Sequence, residues 1–354
     1  MLNPERIELV RLRLGLTKSG FAKALGIDRK TVQRFEAGTH ELSQNSVDNL
    51  IKISGYPQKF FESGKIDYPN SEAVSFRSLR SLTATSRNAA LAAGALAFEL
   101  DDWINERFEL PDHSLPQLDN HTPTEAAIAL RTHWGIGERP IGNMINMLES
   151  HGVRVFSLSE GTRHLDAYSF WRNDKPYVFL NTMKTPEHSR FDGAHELGHL
   201  VLHRHGGPSH RNAEDQANAF ASAFLMPIAD VKARLPFVHG LNDLIRGKKR
   251  WKVSTAALAY TLHKQGVISD WHYRGYCIEL NKLGRTKEPH GIESETSQVW
   301  QKILTDLWRE GVTITHIADA LKIPEHELSN LLFGIAAAPN TQEKQKPNSL
   351  KLVE

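Results

Sequence analysis

The sequence predicts a mostly α chain with a small β-sheet, an α+β arrangement with an all-helical first unit and a helical last block. Three observations carry this. Apolar residues keep helical spacing through the first 60 residues and again from about 295 to 333. Between 153 and 181 the pattern changes to short apolar and aromatic runs separated by polar turns. The composition, 40% apolar and 24% charged over 354 residues, is globular and long enough for two or three domains.

Composition also excludes several classes. The longest apolar stretches, 89–98 and 217–226, fall well short of the eighteen or so residues of a membrane span. The opening MLNPERIELV has no basic segment followed by an apolar core, so no secretory signal is expected. One cysteine, Cys277, makes neither an internal disulfide nor a thiolate metal site. A cytoplasmic protein is expected. The net charge of +2 means that binding to nucleic acid must come from a local patch. The 18 histidines are roughly twice the usual share, and histidine is the commonest metal ligand.

The elements follow in chain order. Ile7, Val10 and Leu14 mark a first helix. Thr17 caps a second through Phe21, Ala22 and Leu25, and Asp28 caps a third through Val32 and Phe35 that Gly38 ends. Ser43 or Ser46 opens a fourth through Val47, Leu50 and Ile53. Short helices with three- to four-residue turns fit a helix-turn-helix unit over 1–61. Residues 62–119 read as a linker and a long alanine-rich helix from about 87 to 108. Thr122, Pro123 and Glu125 form a capping box before a helix through Trp134. Strands are expected at 153–158, 165–171 and 177–180, then helices at about 188–204 and 212–226, the second stopped by Pro227. Residues 228–275 are mostly helical, and 276–335 form a C-terminal helical domain. The polar, proline-broken tail over 336–354 is expected to be disordered.

The chemistry concentrates in His195-Glu196-Leu197-Gly198-His199. On a helix, residues i and i+4 share a face, so both imidazoles reach one ion while Glu196 lies close enough to act as a base toward water. Alone such a motif is weak. Here two strand candidates precede it, and an acidic residue follows fifteen positions on. Glu214 suits a third ligand, which leaves the fourth position to water, and Asn218 on the same helical face is placed to orient a ligating histidine. His203, one turn past His199, reads either as an extra ligand or, preferably, as a helix-end imidazole near the last carbonyls. His205 and His210 read as solvated loop residues. His164, Tyr168, Tyr260 and His263 are candidate oxyanion donors, and an exposed strand edge at 177–181 is a candidate substrate platform.

The segment RFDGAHELGHLVLH (190–203), followed by the run Glu214-x-x-Ala217-Asn218-x-Phe220-Ala221-x-x-Phe224-Leu225-Met226-Pro227, resembles the ImmA/IrrE-like metallopeptidases over about 120–275. That resemblance implies a zincin-like α+β peptidase domain, Zn2+ on His195, His199 and Glu214, and Glu196 as catalytic general base. Gln216 stands where the family often carries glutamate. Residues 15–38, GLTKSGFAKALGIDRKTVQRFEAG, resemble the Xre/Cro-type helix-turn-helix family. Residues 1–60 hold ten Lys/Arg against six Asp/Glu, a local balance of +4. The resemblance places Arg29, Lys30, Thr31, Gln33 and Arg34 in the major groove, where glutamine suits adenine and arginine guanine, with Lys18 on phosphate. Gly20 and Leu42 depart from the family's usual residues without blocking DNA binding.

A faint repeat closes the chain. Thr17, Ala22, Leu25, Ile27, Val32, Phe35 and Gly38 fall on Thr313, Ala318, Leu321, Ile323, Leu328, Leu331 and Gly334 at a constant offset of 296. The second set would be a degenerate helix-turn-helix whose acidic reading segment repels phosphate and serves packing or dimer contacts. The expected partners are a double-stranded DNA operator, a protein substrate of repressor or antitoxin type, and a second copy in a homodimer, without a membrane. The expected role is regulation in stress, toxin–antitoxin or phage-immunity circuits by cleavage of a partner. The competing expectation is a non-proteolytic transcription factor or antitoxin whose zincin-like domain is a sensor or scaffold.

Overall fold

The computed structural model describes residues 2–69, 83–158, 165–204, 210–284 and 288–336. His164, His205 and the tail beyond 336 lie outside the described residues.

The first unit is helical, as its caps dictate. Helices α1 (Pro4–Arg13), α2 (Lys18–Leu25), α3 (Arg29–Glu36), α4 (Gln44–Ser54) and α5 (Gln58–Phe61) surround Phe21, Val32, Phe35, Leu50 and Phe60, all buried. Thr17, Asp28 and Ser43 each accept a backbone N–H of the first turn of α2, α3 and α4, so Ser43 and not Ser46 opens α4. Gly26 ends α2 in the left-handed region at φ 71°, which lets α3 turn sharply away.

This unit rests through α1 on the long helix α6 (Ala84–Asn105), where buried Arg6 pairs with Glu99. Small residues along α6 (Ala90, Ala93, Gly94 and Ala97) let neighbours approach closely. Helices α7 (Pro123–His133) and α8 (Met144–Ser150) precede the sheet, and the expected capping box of Thr122 and Glu125 starts α7.

The sheet contains β1 (Arg154–Ser157), β2 (Ala167–Arg172) and β3 (Lys175–Leu180) in the order β1-β3-β2. β2 and β3 form an antiparallel hairpin over Asn173 and Asp174, both at positive φ, while β1 joins β3 in parallel. β3 is therefore the central strand. The expected open edge at 177–181 is paired on both sides, and among the described residues β1 and β2 are the edges.

Alternation then assigns the faces. Tyr168, Phe170 and Tyr177 meet α6, with Phe98 edge-on to the latter two and the Tyr168 hydroxyl donating to the Ala90 carbonyl. Ser169 and Trp171 meet helix α9 (Pro186–Leu202) on the other face. Helix α10 (His210–Leu225) lies against α9 and is backed by α7, whose Arg131 donates to the Phe224 carbonyl. His210 therefore opens a helix, where a loop position was expected. Helices α11 (Ile228–Arg234), α12 (Leu241–Trp251), α13 (Thr255–Lys264) and α14 (Asp270–Leu283) complete the centre.

The last block is α15 (Gln298–Arg309), α16 (Ile314–Leu321) and α17 (Glu325–Leu332). Ser297 caps α15 and donates to buried Glu149 at the end of α8, and the Trp300 indole donates to the Val155 carbonyl of β1. Burial raises the Glu149 carboxyl to about 7, against the hydrogen bonds from Ser297 and Val299 that favour its charged form. Among the described residues no helix is long and apolar enough to cross a membrane.

Candidate metal centre and DNA-reading helix

Helix α9 carries the histidine pair from the sheet face toward α10. Twelve of its 17 residues are buried, so the expected amphipathic helix is packed on more than one side. Gly198, inside the motif, faces Ala217 and Phe220 of α10; an added Cβ would lie 3.0 Å from the Phe220 ring and 3.3 Å from the Ala217 Cα. The missing side chain lets α10 come close enough for Glu214 to reach both histidines.

The three side chains converge. His195 Nε2 and His199 Nε2 lie 3.1 Å apart. The Glu214 oxygens lie 3.2 Å from the first and 3.3 Å from the second. A tetrahedral ion with bonds of about 2.0–2.1 Å holds its donors about 3.3 Å apart. The spacing and the two-nitrogen, one-oxygen donor set therefore fit a zinc-type cation. Burial opposes charge on His195, yet the Glu214 hydrogen bond and the Glu196, Glu214 and Asp192 carboxylates raise its pKa. Burial likewise opposes charge on Glu214, and the two imidazoles overcome it and hold the carboxyl well below its usual range. Asp192, one turn before His195, is pushed up to about 7, chiefly by burial.

The opposite ring nitrogens are held as well. His195 Nδ1 lies 3.0 Å from Asn218 Oδ1, the orienting contact expected of that residue. His199 Nδ1 lies 3.0 Å from His203 Nδ1, and His203 Nε2 lies 2.8 Å from Gln216 Oε1. His203 stands at the end of α9, as the preferred reading had it, but its ring nitrogens go to His199 and Gln216. His203 is too occupied to be an extra ligand, and it points at His199, away from the helix-end carbonyls. One proton arrangement satisfies the chain: Gln216 accepts from His203 Nε2–H, His203 Nδ1 accepts from His199 Nδ1–H, and His199 Nε2 keeps a lone pair. Asn218 does the same for His195.

Glu196 is 1% exposed, and the Ser169 hydroxyl donates to its Oε2 at 2.6 Å. Ser169 was missed in the sequence. Its only signal there was a small polar residue among the aromatic and apolar residues of a strand. Tyr168 and Tyr177 face α6, on the other side of the sheet from the histidines. His263 stacks on Tyr273 beside Asp270, and Tyr260 is about half exposed. Of the expected oxyanion donors within the described residues, Tyr168, Tyr260 and His263, none contacts the triad.

On α3, Arg29, Lys30, Gln33 and Arg34 are exposed. Thr31 is half-buried and donates its hydroxyl to Asp28 as part of the cap. Lys18 pairs at 2.7 Å with Glu36, whose buried side chain also takes Arg11. The ammonium is thus held at the N-terminus of α2 and keeps partial exposure.

Comparison with known families matches two stretches of the chain. The helix-turn-helix family model matches residues 7–57, and the IrrE N-terminal-like domain, a peptidase family, matches 148–263. The chain carries both domains, in that order. No curated protein matches the chain. The helix-turn-helix domain holds α3, and the IrrE N-terminal-like domain holds the sheet, the histidine pair and Glu214. Such a pairing makes this a DNA-binding regulator type of chain with a peptidase-like domain.

Proposed function

We propose that this protein is a cytoplasmic transcriptional regulator carrying a zinc-dependent endopeptidase, which cleaves a partner repressor or antitoxin-type protein and regulates its own operon. The observation that carries the reading is the close, mutually spaced set of His195, His199 and Glu214 with Glu196 beside it. When bound, zinc polarises the scissile carbonyl and acidifies water. Asn218 and His203 hold the two imidazoles with Nε2 toward the ion. Glu196, steadied by Ser169, takes the proton of the attacking water and delivers it to the leaving amine. Arg29, Lys30, Gln33 and Arg34 read the operator from α3, with Thr31 fixing the helix start and Lys18 near phosphate.

One observation favours a second reading. Glu196 is almost fully buried, and a base must meet water. In that reading the domain is a sensor or scaffold, and the chain acts through DNA alone. Co-expression with proteins encoded beside its gene separates the two. A cleavage product seen with wild type and lost in Glu196→Gln supports the peptidase. Equal regulation by both forms with no cleavage supports the regulator. Metal analysis should find one zinc per chain in wild type and none after His199→Ala.

A further inference from the structure

The repeat seen in the sequence recurs in the backbone, beyond the seven matched side chains. Adding 296 carries α2 (Lys18–Leu25) onto α16 (Ile314–Leu321) and α3 (Arg29–Glu36) onto α17 (Glu325–Leu332), residue for residue. The last residue of α1, Arg13, falls on the last of α15, Arg309. Thr17 and Thr313 cap the second helix of each set, and each accepts the N–H three residues on. Gly15 and Gly311 both take positive φ, as do Gly26 and Lys322, and Gly38 and Gly334. The turn hydrogen bonds match as well: Leu16 N–H to Arg11 O and Val312 N–H to Leu307 O, at 3.0 and 2.8 Å. Ile27 N–H to Ala22 O and Ile323 N–H to Ala318 O follow, at 3.0 and 2.9 Å.

The reading surfaces differ in kind. Arg29, Lys30, Gln33 and Arg34 become Glu325, His326, Ser329 and Asn330, so three positive charges give way to one negative. Such a face repels a phosphate backbone. Thr31 becomes Glu327, which turns inward and is buried. One Glu327 oxygen pairs with Arg13 at 2.7 Å, and the other accepts from the Tyr56 hydroxyl at 2.9 Å. Both partners belong to the first helix-turn-helix unit, Arg13 at the end of α1 and Tyr56 between α4 and α5. Beside them Lys322 donates to Ser63 at 2.9 Å, and Pro324 lies over Gly55. At its other end the second copy grips the sheet, where the Thr182 hydroxyl donates to the Phe333 carbonyl and Gly334 sits hard against Thr182.

We infer that the C-terminal block is a second helix-turn-helix converted from a DNA reader into an intrachain docking module, whose Glu327 binds the first copy and fixes it to the peptidase-like domain. The surface it uses on the first copy is the end of α1 and the α4–α5 corner. The α3 reading face stays exposed. A buried carboxylate between an arginine and a tyrosine suits this task, because it gives a directional contact that fails when the charges are mismatched.

The test uses the full chain with Cys277→Ser, Ser63→Cys and Lys322→Cys, and a short bis-maleimide crosslinker. Crosslinking within one chain is expected, and its yield should drop about tenfold in Arg13→Glu and in Glu327→Arg and return in the charge-swapped double variant. Circular dichroism on the swap separates lost docking from lost folding. Crosslinking between chains, or an undiminished yield in Glu327→Arg, would overturn the inference. A second arm measures binding to mixed-sequence duplex DNA at low salt. Ser329→Ala and Asn330→Ala should stay within about twofold of wild type while Arg29→Ala and Arg34→Ala lose about tenfold. Equal losses from α17 and α3 would make the second copy a reader and sink the inference. Failure of wild type to bind duplex DNA would sink the α3 reading alone, leaving the crosslinking arm to decide.

Discussion

Replacing His203 with alanine should weaken zinc binding by about 10- to 100-fold without touching a ligand. His199 is 8% exposed, and its Nδ1 has His203 as its partner at 3.0 Å. Removing that acceptor leaves a buried N–H unpaired, at a cost of about 1–3 kcal/mol. At about 1.4 kcal/mol per tenfold, this matches the affinity loss expected from ligand-supporting residues generally. Asn218→Ala should cost a similar factor, because it frees the other imidazole. The two losses should multiply, since each residue supports a different ligand. Gln216→Leu should add little once His203 is gone, because Gln216 reaches His199 only through it. His203→Asn should recover much of the loss, since its amide oxygen offers an acceptor to His199. Chelator competition on the purified full chain gives these affinities without any substrate. Changes below about threefold for His203→Ala and Asn218→Ala, with His199→Ala abolishing binding, would refute the wiring and leave the metal assignment standing.

Three further outcomes follow from the packing and charges. Gly198→Ala places a methyl 3.0 Å from Phe220, so it should cost about 1–3 kcal/mol in thermal unfolding and lower zinc affinity by displacing α10. Full retention of both would mean that α9 and α10 can separate freely. Glu149 titrates near 7 when folded, above its ordinary 4.5, so the folded state holds a proton that the unfolded chain releases. Stability should therefore be fullest below about 4.5, fall by up to about 1.4 kcal/mol per pH unit toward 7, and flatten in Glu149→Gln. An unchanged slope in that variant would remove Glu149 as the cause. Lys30→Ala or Arg34→Ala should weaken duplex binding and reduce the salt slope by about 0.9 for each phosphate that is no longer neutralised. An identical slope would place that residue off the phosphate backbone.

Local chemistry made much of this architecture legible. Thr17, Asp28 and the Thr122 box announce helix starts because a cap needs only its own first turn. The histidine pair was legible because i and i+4 spacing is a property of one helix. The centrality of β3 was not, since parallel pairing with β1 is decided across some twenty residues of intervening chain, with no signature in either strand. The place of His203 is hidden for a related reason. Its two partners sit on different helices, whereas its position at a helix end speaks only of the backbone beside it. The offset of 296 was visible in apolar spacing, but the place of Glu327 was not, because its partner Arg13 is 314 residues away.

The sheet separates the two candidate sites. The reading unit rests on α6, α6 covers one face of the strands, and the histidines ride on the helix covering the other. Two of the links between the reading unit and the sheet run through whole elements, beside the direct Asp67–Arg172 pair onto β2. One is α6 itself, to which α1 is tied by the Arg6–Glu99 pair. The other is the C-terminal copy, which holds Arg13 and Tyr56 at one end and Thr182, in the turn before α9, at the other. A buried ion pair at one end and a close glycine contact at the other hold this route, and Glu327 is where a single charge change breaks it. Any coupling between operator occupancy and the metal centre that runs through the C-terminal copy should then vanish in Glu327→Arg while each site still binds its own ligand. Coupling that survives that variant would assign the link to α6 or to the Asp67–Arg172 pair.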